Sequence, residues 1–341
     1  MPTPTHPHTH TPITPYPLLF TPVYKDYLWG GNRLARQYGR SGTPAVCAES
    51  WEISDRPEGM SVVTNGPMKG RTLHSLVEDW GPALTGGGDT VFPLLVKLID
   101  ARKDLSVQVH PNEHNAHRTG GEPKTEMWYV LEADPAAQIY AGLRPGCTRE
   151  RFEKALREGT LETEALAAVP AKPGRAVFVP GGRVHAIGAG CLLLEVQQNS
   201  NTTYRVYDWN RTDEKGRPRE LHLEQAMQVI EWDNGAPEVC SPRPRPGEGP
   251  NTVADIITCP FFSSERLVLN APEPVEHDGT SFHIVFAVSG TVLIGTGGTV
   301  ATADPGTSCL VPAAARHYTL TPVGGPAVVI RVGRSRLKTA D

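Results

Sequence analysis

At 341 residues the chain can form one large domain or two, and it can bury a substantial core. Its formal net charge is −4 and it has no long basic run, so nucleic acid and anionic membrane surfaces are not expected partners, and a small molecule is. No apolar run reaches the ~18 residues of a membrane span.

Residues 1–15 (MPTPTHPHTHTPITP) have almost no apolar content and read as a disordered tail. Structure is expected from Tyr16. Residues 45–54 and 91–100 read as buried strands, with a helix over 72–83 between them. Short strands are expected at 105–110, 125–132, 137–141, 175–179, 184–188, 191–197 and 202–207. Turn signals such as Gly120-Gly121 and Gly181-Gly182 separate them. Residues 148–168 break the rhythm: Phe152 and Leu156 at i, i+4 predict a helix stopping at Gly159, with a second short helix after it. A further helix fits 222–232. Residues 233–251 are dense in proline, glycine and charge and read as a linker or long loop. Strands resume from 252 to the end. Glycine (34) and proline (32) make 66 of 341 residues, against a usual share of ~12%, which is turn-rich β punctuation. Two successive β-barrels or sandwiches with a few helices inserted and flanking are the expected architecture: 16–232, then 252–341. The six scattered cysteines form no CxxC pair, and the N-terminus lacks a basic start and apolar core. Reduced thiols and a cytoplasmic location are therefore expected.

Four residues point to chemistry. Gln108 and His110 are two apart and share one side of a strand. Glu126 opens the apolar run EMWYVL, and a carboxylate is seldom buried unless paired or bound to metal. His185 follows the Pro180-Gly181-Gly182 turn. Two imidazoles, a carboxylate and an amide oxygen suit Zn²⁺ or another borderline first-row ion; a set of hydrogen-bonded core residues is the competing reading. One carboxylate leaves such a site positive, which suits Lewis-acid work on a carbonyl or hydroxyl. Lys97, Lys124 and Arg205 lie in or beside apolar strands. Together they favour an anionic, phosphorylated substrate, although each alone fits a structural ion pair. Glu195, in CLLLEVQQ, is either a proton-transfer group or the partner of one of these cations.

The segments FPLLVKLIDARKDLSVQVHPNEHNA, KTEMWYVLEA and GRAVFVPGGRVHAIGAGCLLLEVQQNSNTTYRVYDWNR closely resemble type I mannose-6-phosphate isomerases of the shorter bacterial form. YLWGGNRL, AESWEIS and ADIITCPFFSSERL resemble further blocks of that family, so the resemblance spans roughly residues 16–333. It implies two cupin barrels, one Zn²⁺ per chain and interconversion of mannose 6-phosphate and fructose 6-phosphate through a metal-stabilised enediolate. It places the zinc ligands on Gln108, His110, Glu126 and His185, and the active-site arginine on Arg205. Lys124 and Glu195 match further catalytic positions, with Glu195 the first candidate base and a metal-bound water or a metal-assisted hydride shift as the alternatives. Lys97 and Ser106 match positions facing the substrate. Ala48 stands where the family has glycine, and the large helical domain of longer members is absent or reduced to segments such as 148–168. In the second barrel His283 and His317 are isolated, so that unit (252–341) is expected to hold no metal. The sequence leaves oligomeric state open between monomer and small homo-oligomer. A mononuclear iron oxygenase of the same fold and a non-catalytic sugar-phosphate-binding cupin are the alternatives; the cationic set argues against the first, and the complete ligand set against the second.

Overall fold

The computed structural model describes residues 15–212, 215–233, 235–335 and 337; the tail expected to be disordered lies, up to residue 14, outside them. The chain is mainly β, and among the described residues all strand pairs are antiparallel. One seven-stranded sheet runs in the order Glu238–Cys240, Ala176–Val179, Glu126–Ala133, Cys191–Gln198, Leu94–Ala101, Glu49–Ile53, Val23–Lys25. A five-stranded sheet runs Tyr204–Tyr207, Val107–Val109, His185–Ile187, Gln138–Leu143, Leu166–Pro170. These two sheets form the first barrel.

Alternation along the strands explains how one sheet serves two cores. Trp128, Val130, Leu193 and Ile99 point inward and pack with Ile139 and Ile187 of the opposite sheet. Met127, Tyr129, Leu194 and Val196 point outward and join Phe262, Ile284 and Ile330 of the C-terminal sheet, and Phe282 just before it, in a core shared by both units. Burying each of these large side chains is worth about 1.5–3 kcal/mol, so the first barrel's outer wall is also the platform for the second.

The ten-stranded sheet of the C-terminal unit includes two strands from early in the chain. Leu18–Thr21 pairs with Ser308–Val311 on one side and Val62–Val63 on the other. Residues 233–251, read from composition as a linker, contain two short strands: Glu238–Cys240 extends the first barrel's sheet, and Arg243–Pro244 pairs with Thr252–Thr258.

The helical stretch at 148–168 needs correction at its end. Thr148 caps the helix Arg149–Glu158 by accepting from the Arg151 N–H, and Gly159 ends it in the left-handed conformation at φ 69°. The short helix Leu161–Glu164 follows, and the chain then becomes the edge strand Leu166–Pro170, paired with Gln138–Leu143. Alanine is a good helix former, and this pairing overrides that local preference. The helix expected at 72–83 forms as Leu73–Trp80, capped by Thr72, with a short turn Pro82–Thr85 after it. That expected at 222–232 forms as Leu223–Val229.

Candidate active site

Register brings the site together from both sheets of the first barrel. In the five-stranded sheet Gln108 lies directly opposite His185 on one side and Arg205 on the other. In the seven-stranded sheet Glu195 lies opposite Lys97 and Trp128, and Lys97 opposite Trp51. Directly opposed residues share a face, so each sheet presents one polar row inward. His110 sits just past its strand, fixed where its carbonyl accepts from Gly182 N–H at 2.7 Å. The adjoining Gly181 is required by space: a Cβ there would lie 2.5 Å from the Pro111 carbonyl oxygen.

His110, Glu126 and His185 converge with potential ligand atoms all within 4.8 Å of one another, and all three are buried. His185 Nε2 lies 3.3 Å from Glu126 Oε1, and His110 Nε2 lies 3.7 Å from Glu126 Oε2. His185 Nδ1 donates to the Arg183 carbonyl at 2.8 Å, which leaves Nε2 as a lone pair facing the carboxylate. Lys124 Nζ lies 3.1 Å from His110 Nε2; an ammonium only donates, so that nitrogen is also an acceptor. The same ammonium is 3.0 Å from Glu126 Oε2, as an ion pair rather than an aligned hydrogen bond.

The electrostatics agree with metal ligation. Burial and then the Lys124 charge push the His110 imidazole down to about 3, and burial likewise lowers His185. Burial would raise Glu126, but Lys124 and the two imidazoles outweigh it and hold the carboxyl well below its usual range. Neutral imidazoles and an ionised carboxylate are the ligand forms a metal needs. His185 Nε2 and both Glu126 oxygens are buried with no hydrogen-bond partner. Three unsatisfied buried acceptors facing one another are costly unless a cation sits between them. The residues therefore fit a metal ion.

Beside this cluster lies a cavity of about 240 Å³. Gln108, Lys124, Lys97, Glu195, Ser106 and Arg205 all line it, so the residues singled out in the sequence meet in one place. Lys97 Nζ lies 3.2 Å from Glu195 and 3.7 Å from Glu49. Burial would lower its pKa, but these carboxylates outweigh it and keep the ammonium charged. Trp128 Nε1 donates to Glu195 Oε1 at 3.0 Å. Burial pushes the Glu195 carboxyl up. Arg205 Nε donates to Ser106 Oγ at 3.3 Å and Nη1 to the Glu220 carbonyl at 2.9 Å.

Glu49, Asn201 and Arg219, which the sequence does not mark, also line the cavity. Glu49 could have been found, since it stands two before Trp51 in an apolar strand. Arg219 could not, because KGRPREL reads as a solvated loop. In the second barrel His283 is not isolated: its ring packs 4.7 Å from His277, and its Nδ1 lies 2.7 Å from the Tyr318 hydroxyl.

A mainly antiparallel two-barrel chain with a buried His–Glu–His cluster inside one barrel is a cupin protein. Comparison with known proteins agrees and narrows the class. The type I phosphomannose isomerase catalytic-domain model matches residues 18–142, and the mannose-6-phosphate isomerase cupin-domain model matches 252–332. The chain is 43% identical over 221 residues to the mannose-6-phosphate isomerase ManA of Bacillus subtilis (strain 168), covering 64% of this chain and 69% of that protein. It is 39% identical over 248 residues to a mannose-6-phosphate isomerase of Streptococcus mutans, covering 72% and 77% respectively. The crystal structure of the Bacillus subtilis mannose 6-phosphate isomerase superposes with a TM-score of 0.84 at 32% identity, over 93% of this chain and 99% of that one. The chain belongs to the type I phosphomannose isomerase family and is an enzyme of the isomerase class. No helix among the described residues is long and apolar enough to cross a membrane.

Proposed function

We propose that this chain interconverts mannose 6-phosphate and fructose 6-phosphate, with one Zn²⁺ held by Gln108, His110, Glu126 and His185. The observation that supports this most is the convergence of buried acceptors on Glu126 and His185 that make no hydrogen bond, set against a cavity lined by Lys97, Lys124 and Arg205. Gln108 is opposite His185 in register and lines that cavity, which makes its amide oxygen the natural fourth ligand. Bound zinc would supply a non-redox Lewis acid beside the sugar's O1/O2 edge, suited to isomerisation rather than oxidation.

The protein's own groups perform the rest. Glu195 removes the C2 proton of the open-chain sugar and returns it to C1, the O2 hydroxyl proton passes to O1, and the species between is a cis-enediolate. A carboxyl raised by burial is a stronger base than a solvated one, and Trp128 and Lys97 fix its orientation. Lys124 and Arg205 stabilise the negative charge that develops on the enediolate oxygens. Lys97 and Ser106 position substrate along the wall. Residues 16–232, apart from the strands Leu18–Thr21 and Val62–Val63 that join the C-terminal sheet, are the catalytic unit, and 252–341 form a metal-free unit that buttresses its outer wall through the shared core.

Arg205→Ala tests the assignment. Turnover of mannose 6-phosphate, coupled to an assay for fructose 6-phosphate, is expected to fall roughly 10²–10³-fold in kcat with bound zinc unchanged. Unchanged turnover, or loss of zinc, would remove Arg205 from this role.

A further inference from the structure

The second barrel repeats part of the plan of the first. Leu267, Val285 and Val329 belong to its inner core. Glu265 stands two before Leu267 in the strand Phe262–Leu269, and His283 two before Val285 in His283–Thr296. Arg331 stands two after Val329 in His317–Arg334. Side chains alternate along a strand, so all three point inward, one step beyond the apolar floor. Glu265 lies directly opposite Arg331 in register, as Glu195 lies opposite Lys97 in the first barrel. Each barrel thus carries a cross-strand pair of carboxylate and cation on its inner wall.

In the second barrel this pair is part of a network. Glu265 Oε2 accepts from Arg331 Nη2 at 3.0 Å and from Arg245 Nη1 at 3.2 Å. Arg331 also reaches the Tyr318 hydroxyl, which lies 2.7 Å from His283 Nδ1. A guanidinium only donates, so that hydroxyl accepts from Arg331 and turns its own proton to the imidazole. His277 Nε2 donates to the Ala315 carbonyl at 3.0 Å, and its Nδ1 accepts from the Gly279 N–H at 3.3 Å. Neither nitrogen of His277 is left for a metal, in contrast to His185 Nε2 of the first barrel.

A cavity of about 400 Å³ opens over this network, within the ~300–1,000 Å³ range of small-molecule sites. Glu265, Arg331, His283, Ser263 and Arg245 are in its wall, and it shares no lining residue with the cavity of the first barrel. Among the described residues, each guanidinium in that wall already has a carboxylate: Arg331 has Glu265, Arg245 has Asp255, and Arg334 has Asp89. An anion would have to displace one of them, which leaves a partly buried carboxylate uncompensated. What the wall offers is fixed donors and acceptors with their charge cancelled. Neighbouring hydroxyl groups, each a donor and an acceptor, match both members of such an ion pair. A wall that served only as a buttress would be at least as stable with apolar residues in place of the pair.

We propose that the mouth of the second barrel binds a neutral polyhydroxylated small molecule, a monosaccharide or its sugar alcohol, with Glu265 and Arg331 gripping neighbouring hydroxyls. The site is independent of the reaction performed in the first barrel.

The probe is mannitol, a hexitol with no carbonyl to isomerise. Calorimetric titration of the purified protein should show binding in roughly the millimolar range, the affinity that a ligand of about a dozen heavy atoms supplies. Glu265→Gln removes the charged acceptor and should weaken mannitol roughly ten- to hundredfold. Ser263→Leu, opposite Gly333 in register, should fill the mouth and abolish binding, with Tm within about 2 °C of wild type because the network is untouched. Arg205→Ala, in the first cavity, should keep mannitol affinity within about twofold. The proposal fails if wild type binds no mannitol at about 50 mM, well above the expected dissociation constant. It fails equally if affinity drops in Arg205→Ala and survives in both second-barrel variants, which places mannitol in the first cavity. If Ser263→Leu lowers affinity for inorganic phosphate and not for mannitol, the site takes an anion and the assignment to a neutral ligand is overturned.

Discussion

Lys97→Met removes the buried ammonium that holds two carboxylates inside the barrel. The wild-type residue is 5% exposed, 3.2 Å from Glu195 and 3.7 Å from Glu49. Methionine fills a similar volume, so packing changes little, but Glu195 and Glu49 lose their shared partner. Breaking a buried pair by removing one member costs about 3–5 kcal/mol. At about 2.1 cal/mol/K per residue, a chain of 341 residues has an unfolding entropy near 0.7 kcal/mol/K, so Tm should fall by about 4–7 °C at pH 8. The pH dependence carries the diagnostic sign. Burial raises the Glu195 carboxyl in the folded state. A raised group contributes stability that is present below its unfolded pKa, about 4.3, and is lost as pH rises through the folded value. With Lys97 gone that folded value rises further, so the variant should recover stability towards wild type as pH falls from 8 to 5. Differential scanning calorimetry of both proteins across that range reads the effect. A deficit that is the same at pH 5 and pH 8, or smaller than about 1 °C throughout, would refute the claim that Lys97 neutralises buried carboxylates.

Glu126→Gln should lower metal affinity by well over tenfold, because it removes the one charged ligand while keeping its shape; atomic absorption on protein dialysed against a weak chelator measures it, and full zinc retention would contradict the site. Gly181→Ala should cost about 1–3 kcal/mol, since the added Cβ meets the Pro111 carbonyl and the Asn112 Cα at 2.5 and 2.8 Å, backbone atoms that cannot swing aside. Its Tm should drop by about 1.5–4 °C, and an unchanged Tm would show that the turn below His110 is more pliable than this packing implies.

What could be read from the sequence was local. Gln108 and His110 were visible because alternation puts i and i+2 on one side, and Glu126 because a lone carboxylate opens an apolar run. The strand order that sets Gln108 between His185 and Arg205 is a long-range pairing that no local pattern encodes. The same holds for Leu18–Thr21, whose partners lie almost 300 residues away in Ser308–Val311 and near at hand in Val62–Val63. Leu166–Pro170 was hidden because a run of alanines suits a helix until an edge becomes available to pair with. Arg219 was hidden because a charged loop gives no sign of which cation turns inward; in the structure its Nε donates to the buried Asp208 carboxylate at 2.7 Å.

The most direct measurement is the conversion of mannose 6-phosphate to fructose 6-phosphate by protein as purified, after exhaustive chelation, and after adding back one equivalent of zinc. Activity lost on chelation and restored by zinc is the predicted result, with His110, Glu126 and His185 supplying the buried ligands. Activity indifferent to chelation would contradict a metal mechanism, and Lys124 would then be the cation that balances the buried Glu126 carboxylate.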